Sequence, residues 1–192
     1  MPRVTDDHRR ARRDEIARAA LRCLERTGIH QTSISDIVEE SGLSTGAIYS
    51  NFPNKREIMR YIVSDYLFPR LDEIGWPGGV RQPREVLELM LQGFTEDGLP
   101  PRIIIQFWAE ASLDAELHDD MARTVARLRD TLMRRLLPWA RTRATSDTAA
   151  TALAREHAVA LNAIAQGYIA HTAVFGPRDP LEYIESIAAV VA

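Results

Sequence analysis

A run of small, uncharged side chains at residues 45–51 has the chemistry to read base edges in a DNA groove. Gly46 and Ala47 would let a helix backbone approach closely, because neither carries a bulky side chain. A Thr or Ala methyl group can touch the methyl group of thymine, and Asn can pair bidentately with adenine. An exposed helix more often carries Glu and Lys, so their absence here favours base reading. The side chains expected on this exposed face are Thr45, Gly46, Ala47, Tyr49, Ser50 and Asn51.

Three side chains in the same region suit contacts with phosphate: Ser33, Tyr49 and Lys55. Ser33 and Lys55 lie at expected helix N-termini, where free N–H groups and the helix dipole favour anions. Phosphate contacts set the register of a protein on DNA and carry no sequence information of their own.

The elements that must position these residues are two short helices joined by a tight turn. Ser33 can cap a helix to Glu40, with Asp36 in a capping-box position. The turn contains Gly42, and Ser44 can cap the second helix, residues 45–51. Two short helices joined by a glycine-containing turn have the form of a DNA-reading helix-turn-helix.

The remaining sequence repeats its apolar residues with a helical period, which predicts an all-α fold. A first helix is expected from Asp7 to Thr27, stopped by Gly28. After a helix opened by Asn54, breaks are expected at Pro69 and at residues 76–79. We therefore predict an N-terminal three-helix helix-turn-helix domain at residues 1–60. A larger helical ligand-binding and dimerisation domain is expected at residues 61–192.

Composition and charge are those of a globular chain with a basic head. Residues 1–60 carry a net charge of +2 and residues 61–192 a net charge of −5, so one end could face phosphates. No apolar run approaches the roughly 20 residues that span a bilayer, and the N-terminus lacks the apolar stretch of a secretory signal. Cys23, the single cysteine, allows no internal disulfide, and we expect a cytoplasmic location.

The segment from Gly42 to Lys55, GLSTGAIYSNFPNK, resembles the recognition segment of TetR-family transcriptional regulators. The segment TSISDI at residues 32–37 resembles the start of that family's second helix, and the resemblance covers about residues 10–60. The resemblance implies a homodimeric repressor whose C-terminal domain pairs through its last two helices and holds a small-molecule pocket. Ligand binding would then move the reading heads apart and release DNA.

Carried onto this sequence, the resemblance assigns roles to eight residues. Bases would be faced by Thr45, Gly46, Ala47 and Ser50. Phosphate or the groove edge would be faced by Ser33, Tyr49, Asn51 and Lys55. The arginines of the extreme N-terminus would reach a neighbouring groove in some members of the family; here they are Arg3, Arg9, Arg10, Arg12 and Arg13. Ordinary core packing is the alternative for the aromatic residues Tyr49 and Phe52.

The C-terminal half contains candidates for dimerisation and for ligand binding. The helix at residues 157–175 carries many Ala and Gly residues, which permit close approach of another helix; packing within the chain is the alternative. Asn162 and Gln166 share a face of that helix, and buried amides need partners. The residues expected to line a mostly apolar cavity are Phe94, Phe107, Trp108, Asn162, Gln166 and Tyr168. Core packing is again the alternative for the aromatic members.

Catalysis and metal binding are not indicated. The sequence contains no glycine-rich phosphate loop, no nucleophile elbow and no paired-cysteine site. The segment His118-Asp119-Asp120 is interpreted as a solvated helix face, because adjacent helical residues point in different directions. We therefore expect no cofactor, no metal and no enzyme activity.

The sequence predicts a homodimeric transcriptional regulator that binds double-stranded DNA and no membrane. Its predicted function is that of a repressor released from an inverted-repeat operator by an unknown small-molecule effector. One alternative is a DNA-binding regulator without a small-molecule effector, such as an activator or a constitutive repressor. The other is a helical enzyme with an accessory helix-turn-helix.

Overall fold

The computed structural model describes residues 6–67, 82–94 and 100–187. Arg3 and the expected breaks at Pro69 and residues 76–79 lie outside the described residues. Within the described ranges the regular elements are helices, as expected for an all-α fold. In chain order they are α1 (Asp6–Gln31), α2 (Ile34–Ser41), α3 (Thr45–Asn51), α4 (Lys55–Tyr61, continued by a π-helical turn at Ile62–Leu67), α5 (Pro83–Gln92), α6 (Pro101–Ala111), α7 (Ala115–Arg141), α8 (Asp147–Phe175) and α9 (Pro180–Ser186).

Gly28 interrupts α1 where the sequence places a helix stop. Its φ of 82° lies in a region that side chains rarely adopt. One further turn follows to Gln31, and both the backbone N–H and the hydroxyl of Thr32 donate to the Gly28 carbonyl, at 3.1 and 2.8 Å. The break lets the chain turn from α1 into α2.

The helix-turn-helix forms through the predicted caps. Ser33 and Asp36 make the capping box at the start of α2, and the Ser44 hydroxyl accepts from the Ala47 N–H at the start of α3. Gly42 ends α2 in the left-handed conformation with a φ of 68°. Each cap satisfies backbone groups that a helix end leaves without partners.

The described chain divides into two compact units. The first contains the described residues up to Leu67 together with Gln106–Met121. In this unit α1 packs against α2, α3 and α4. Its interior is apolar, and the fully buried side chains include Ile16, Leu24, Ile37, Ile48, Phe52, Ile58 and Ile62. Cys23 is 1% exposed and lies on the apolar face of α1 with Ile16, Ala20 and Leu24.

The second unit contains the described residues from 82 to Ile105 and from Ala122 onward. Pro83 occupies the first turn of α5, and α5 packs against α8 and α9. The helix that contains residues 157–175 is α8, which begins at Asp147, is capped by Ser146 and is ended by Gly176 at a φ of 104°. The hydroxyl of Tyr183 on α9 donates to the Ile164 carbonyl of α8, which fixes α9 to α8.

Helix α7 runs without a break through Pro138 to Arg141. Its apolar residues at spacings of three and four lie mostly inside the protein: Leu117, Leu128, Leu132 and Leu136 are buried, whereas Met121 and Val125 are half-buried.

Helix α8 is the one described helix whose length and mean hydropathy, 1.2, would allow it to cross a membrane. A third of the qualifying 18-residue window is buried inside the protein. Length and composition of a single helix are weak evidence for a membrane span, because core helices of globular proteins share them.

Candidate nucleic-acid interface

Helix α3 presents a small, uncharged face on the side opposite its buried residue. Ile48 is fully buried, and at 100° per residue Ser50 lies about 160° around the helix from it. Gly46 is one turn from Ser50, and both are exposed. A Cβ added at Gly46 would meet nothing within 4 Å, so packing inside the protein does not require glycine there.

The other expected base-facing residues flank this face. Thr45 is exposed and Ala47 is half-buried. Tyr49 is 52% exposed, whereas Phe52, for which core packing was the alternative, is fully buried. Helix α3 carries no charged side chain, which gives it an unusual surface for an exposed helix.

The polar side chains at the end of α3 hydrogen-bond back onto their own helix. The Ser50 hydroxyl donates to the Ala47 carbonyl at 2.9 Å. The Asn51 Nδ2 donates to the same carbonyl at 2.9 Å and to Ser50 Oγ at 3.3 Å. Bidentate pairing of Asn51 with adenine needs a free N–H on Nδ2, and in this arrangement both N–H groups are engaged.

Ser33 is exposed, and its hydroxyl belongs to the cap of α2. Ser33 Oγ accepts from the Asp36 N–H at 3.1 Å and donates to Asp36 Oδ2 at 2.8 Å. The backbone N–H of Ser33 also donates to Asp36 Oδ2, at 2.7 Å. This backbone hydrogen bond and the one from the hydroxyl hold the pKa of Asp36 below its ordinary value of 3.8.

Lys55 reaches back to the turn between α1 and α2. Its ammonium donates to the carbonyls of Ile29 and Thr32, at 2.7 and 2.9 Å. An ammonium has three N–H donors, so these two bonds leave one for a phosphate. The sequence offered only a general indication of this role, since carbonyls at a helix C-terminus attract cations.

Arg13, one of the N-terminal arginines, packs inside the first unit. Its guanidinium lies 4.5 Å from the ring centre of Phe52 and 4.3 Å from that of Tyr61. The Tyr61 hydroxyl donates to Asp14 Oδ1 at 2.5 Å, and burial followed by this hydrogen bond raises the pKa of Tyr61. Because Phe52 ends α3, this cluster fixes the end of the recognition helix. Arg9 and Arg10 are exposed.

Residues Gln106–Met121 belong to the first unit, and we term them the elbow. They contact the turn between α1 and α2. Gln106 Oε1 accepts from the Ile29 N–H at 2.8 Å. His30 Nε2 lies 2.8 Å from Glu110 Oε1. Sequence reasoning missed these contacts, because nothing in the local pattern around Gln106 indicates its partner.

The elbow also forms ion pairs with two arginines of α4. Arg56 Nη2 lies 2.6 Å from Asp114 Oδ1, and Arg60 Nε lies 2.6 Å from Asp120 Oδ2. The hydrogen bond that Arg60 donates to Asp120 raises the pKa of Arg60. Two hydrogen bonds to the Asp114 carboxylate lower its pKa. The larger effect comes from the backbone N–H of Leu117 and the next from the guanidinium of Arg56.

The interpretation of His118-Asp119-Asp120 as a solvated face is wrong for Asp120. His118 and Asp119 are exposed, but Asp120 is 5% exposed, because it turns inward to Arg60. No group of three or more potential metal-ligating side chains occurs within the ranges that the structure describes.

The expected ligand-contacting residues divide between the two units. Phe107 is buried and Trp108 half-buried in the first unit; in the second, Phe94 and Tyr168 are buried and Gln166 is half-buried. The Tyr168 hydroxyl donates to the Arg178 carbonyl at 2.8 Å. Asn162 is 2% exposed, and its Nδ2 has no hydrogen-bond partner.

Comparison with known proteins matches the same N-terminal region. Residues 16–62 match the family model described as "Bacterial regulatory proteins, tetR family". The chain is 40% identical over 62 residues to the uncharacterized HTH-type transcriptional regulator YfiR of Bacillus subtilis, covering 32% of this chain and 30% of that protein. It is 24% identical over 127 residues to the HTH-type transcriptional regulator BetI of Vibrio vulnificus, covering 62% of this chain and 61% of that protein.

The fold extends beyond the matched segment. A crystal structure of a TetR transcription regulator from Haloarcula marismortui superposes with a TM-score of 0.75 at 18% identity, covering 95% of this chain and 97% of that one. At this identity the likeness concerns the fold. The matched segments span between about a third and three-fifths of the length of the two curated relatives.

Proposed function

Since this chain belongs to the TetR family of bacterial regulatory proteins through its N-terminal domain, we propose that it is a homodimeric transcriptional repressor. It binds an inverted-repeat operator in double-stranded DNA, and a small-molecule effector releases it. It acts in the cytoplasm without cofactor, metal or catalysis. Residues 1–60 read DNA, and residues 61–192 bind the effector and the second subunit.

The observation that carries this proposal is the outward face of α3. An exposed helix whose outward side holds Gly46 and Ser50, with no charged residue along its length, is poorly suited to solvent and well suited to close approach to base edges. Thr45 and Ala47 complete the base-facing set. Contacts with phosphate come from Tyr49 and the third N–H of Lys55. Ser33 and Asn51 have their side-chain donors engaged within the protein, so they lie at the groove edge as acceptors.

The outer side of α8 supports pairing of two subunits. Val159, Ala163 and Val174 are exposed and recur at helical spacing along one side, which favours packing against a second α8. Gly167 adjoins this side but lies against Tyr183 of α9, since a Cβ there would come within 2.9 Å of the Tyr183 hydroxyl. Phe175, 77% exposed, lies about 100° further around the helix than Val174, where its ring centre is 5.2 Å from that of His171. A partner helix would cover this side, and a two-fold dimer would match operator half-sites in inverted order.

The orphan amide of Asn162 supports an effector site in the second unit. A buried N–H without a partner costs free energy, and a ligand with a hydrogen-bond acceptor would satisfy it. Of the expected ligand-contacting residues, we propose the four that belong to the second unit: Phe94, Asn162, Gln166 and Tyr168. Effector and operator would favour different separations of the two reading heads, so that each lowers the affinity for the other.

The first test is selection of bound duplexes from a random DNA library by the purified full chain, at a fixed salt concentration because phosphate contacts make affinity salt-dependent. Enrichment of an inverted repeat is expected. Enrichment of a lone half-site would contradict the dimeric part of the proposal, and no enrichment would contradict DNA reading. Tyr49→Ala should lower the affinity for every duplex without changing the enriched sequence, because a phosphate contact carries no sequence information. Tyr49 is 52% exposed, so its loss leaves the core intact.

The effector part needs a second measurement. A set of small apolar and amphipathic compounds is screened for an increase in melting temperature, and each hit is added to the complex with the selected duplex. A compound that raises the melting temperature and lowers DNA affinity supports release by an effector. If no compound raises it, the regulator without an effector becomes the better interpretation.

A further inference from the structure

The hydrogen bonds at the end of α3 fix which hydrogen-bonding groups this helix can offer to DNA. Ser50 lies at the centre of the outward face, on the side opposite the buried Ile48. Resting on the proposed function, we propose that Ser50 reads its base as a hydrogen-bond acceptor. The base under it then presents an exocyclic amine, adenine N6 or cytosine N4, on the strand that Ser50 faces.

The donor of Ser50 is already committed. A serine hydroxyl has one O–H and two lone pairs. The O–H goes to the Ala47 carbonyl at 2.9 Å, and a carbonyl oxygen can only accept. One lone pair receives an N–H from Asn51 at 3.3 Å. One lone pair is left for the groove.

Asn51 holds Ser50 in this state. One N–H of its Nδ2 goes to the Ala47 carbonyl at 2.9 Å and the other to Ser50 Oγ. The atom that faces a carbonyl oxygen must be the nitrogen, so the amide orientation is fixed by its partner. Asn51 lies on the flank of α3 and acts on the base through Ser50, as a positioning residue.

The free lone pair discriminates between bases. In the major groove adenine and cytosine present amine donors, whereas guanine presents the acceptors N7 and O6 and thymine the acceptor O4. An acceptor placed over guanine O6 or thymine O4 would leave both oxygens without a partner. Gly46 and Ala47 bring no side-chain donor to the same face, so nothing beside Ser50 reverses this preference.

The test begins with library selection by the wild type, by Ser50→Ala and by a control, Ser112→Ala. Ser112 is exposed outside α3, and its hydroxyl donates to the Ala109 carbonyl in the same three-residue geometry. We expect Ser50→Ala to relax the preference at one base pair in each half-site, and Ser112→Ala to keep the wild-type preference. Relaxation by both variants, or by neither, would overturn the proposal.

The second step removes single atoms at that base pair. For an A·T pair, purine deoxynucleoside in place of dA removes the N6 amine, and 7-deazaadenine removes the N7 acceptor. For a C·G pair, the corresponding analogues are a 2-pyrimidinone nucleoside and 7-deazaguanine. Loss of the amine should weaken wild-type binding roughly five- to tenfold, and loss of N7 should not.

The weakening must depend on Ser50. In Ser50→Ala the amine-free duplex should bind as well as the unmodified one, which separates the contact from any change in base pairing. A penalty that follows N7 instead of the amine would show that Ser50 donates, and an amine penalty that persists in Ser50→Ala would show that another group reads it. Either result overturns this inference while leaving the proposed function intact. If the wild type enriches no sequence from the library, both the inference about Ser50 and the proposed function are contradicted.

Discussion

Gln106 Oε1 accepts a hydrogen bond of 2.8 Å from the backbone N–H of Ile29, which lies 77 residues earlier in the chain. A Cβ added at Gly28 would lie 3.2 Å from the same Gln106 oxygen, so the glycine and the glutamine fit each other. Lys55 holds the Ile29 carbonyl from the side of α4. The turn that leads into the helix-turn-helix is therefore fixed by both α4 and α6.

Gln106→Met should destabilise the first unit, because it leaves the Ile29 N–H without an acceptor. The expected loss in the free energy of unfolding is about 1–3 kcal/mol, measured by denaturant unfolding, with faster hydrogen exchange at the Ile29 amide. Gln106→Glu keeps an acceptor oxygen and should retain slow exchange there. Equal exchange rates in the wild type and in Gln106→Met would show that the bond does not hold the turn.

Gly46→Ala should separate folding from DNA binding. The new methyl group meets nothing within 4 Å, and alanine favours a helix over glycine by about 1 kcal/mol, so thermal stability should rise. Affinity for the selected duplex should fall, because the methyl group occupies the space between α3 and the base edges.

Gly42→Ala is the matched control for Gly46→Ala. Gly42 has a φ of 68°, so alanine there should cost about 1 kcal/mol of stability although its Cβ also has open space. Unchanged DNA affinity in a stabilised Gly46→Ala would mean that this part of α3 does not approach DNA closely.

Arg60→Met and Arg56→Met should differ in their cost to stability. Asp120, which Arg60 contacts, has a side chain 6% exposed, so losing this ion pair inside the protein should cost more stability than losing an exposed one. Arg56 is 49% exposed and its partner Asp114 28%, so water replaces the lost ion pair and a much smaller effect is expected. Thermal unfolding of both variants measures the difference, and equal losses would contradict the burial argument.

The capping box of α2 should make stability depend on acid. The pKa of Asp36 is lowered in the folded state, so its contribution is present above pH 3.8, the ordinary value, and is lost as the pH falls through the lowered pKa. Asp36→Asn should therefore be less stable than the wild type at pH 7, and the two should converge in strong acid. Denaturant unfolding at a series of pH values tests this, with Asp119→Asn, on an exposed part of α7, as the control.

Val174→Glu should convert the proposed dimer into a monomer. The exposed side of α8 is apolar at Val159, Ala163 and Val174, and a carboxylate buried between two subunits would lack a partner. Sedimentation equilibrium measures the mass, and Leu113→Glu, which places the same charge at an 86% exposed leucine outside α8, should leave it unchanged. A monomeric wild type would contradict the homodimer, and a dimeric Val174→Glu would assign the interface elsewhere.

The sequence by itself determined the helices and the reading motif, because their signals act over three or four residues. Ser33 with Asp36, Ser44 and Asn54 all cap the helices that they were expected to cap. The burial of Ile48 and the composition of residues 45–51 together defined the outward face of α3. The same local chemistry underlies the TetR-family resemblance, which the family match confirmed.

Only the tertiary structure decided how that motif is held and which of its polar atoms remain free. Gln106 and Ile29 are 77 residues apart, Arg60 and Asp120 are 60 apart, and Lys55 and Thr32 are 23 apart. Such pairs depend on how helices pack, and a polar residue carries no local mark of its distant partner. The sequence therefore predicted a solvated Asp120. In the fold Asp120 is buried, because α4 brings Arg60 to it.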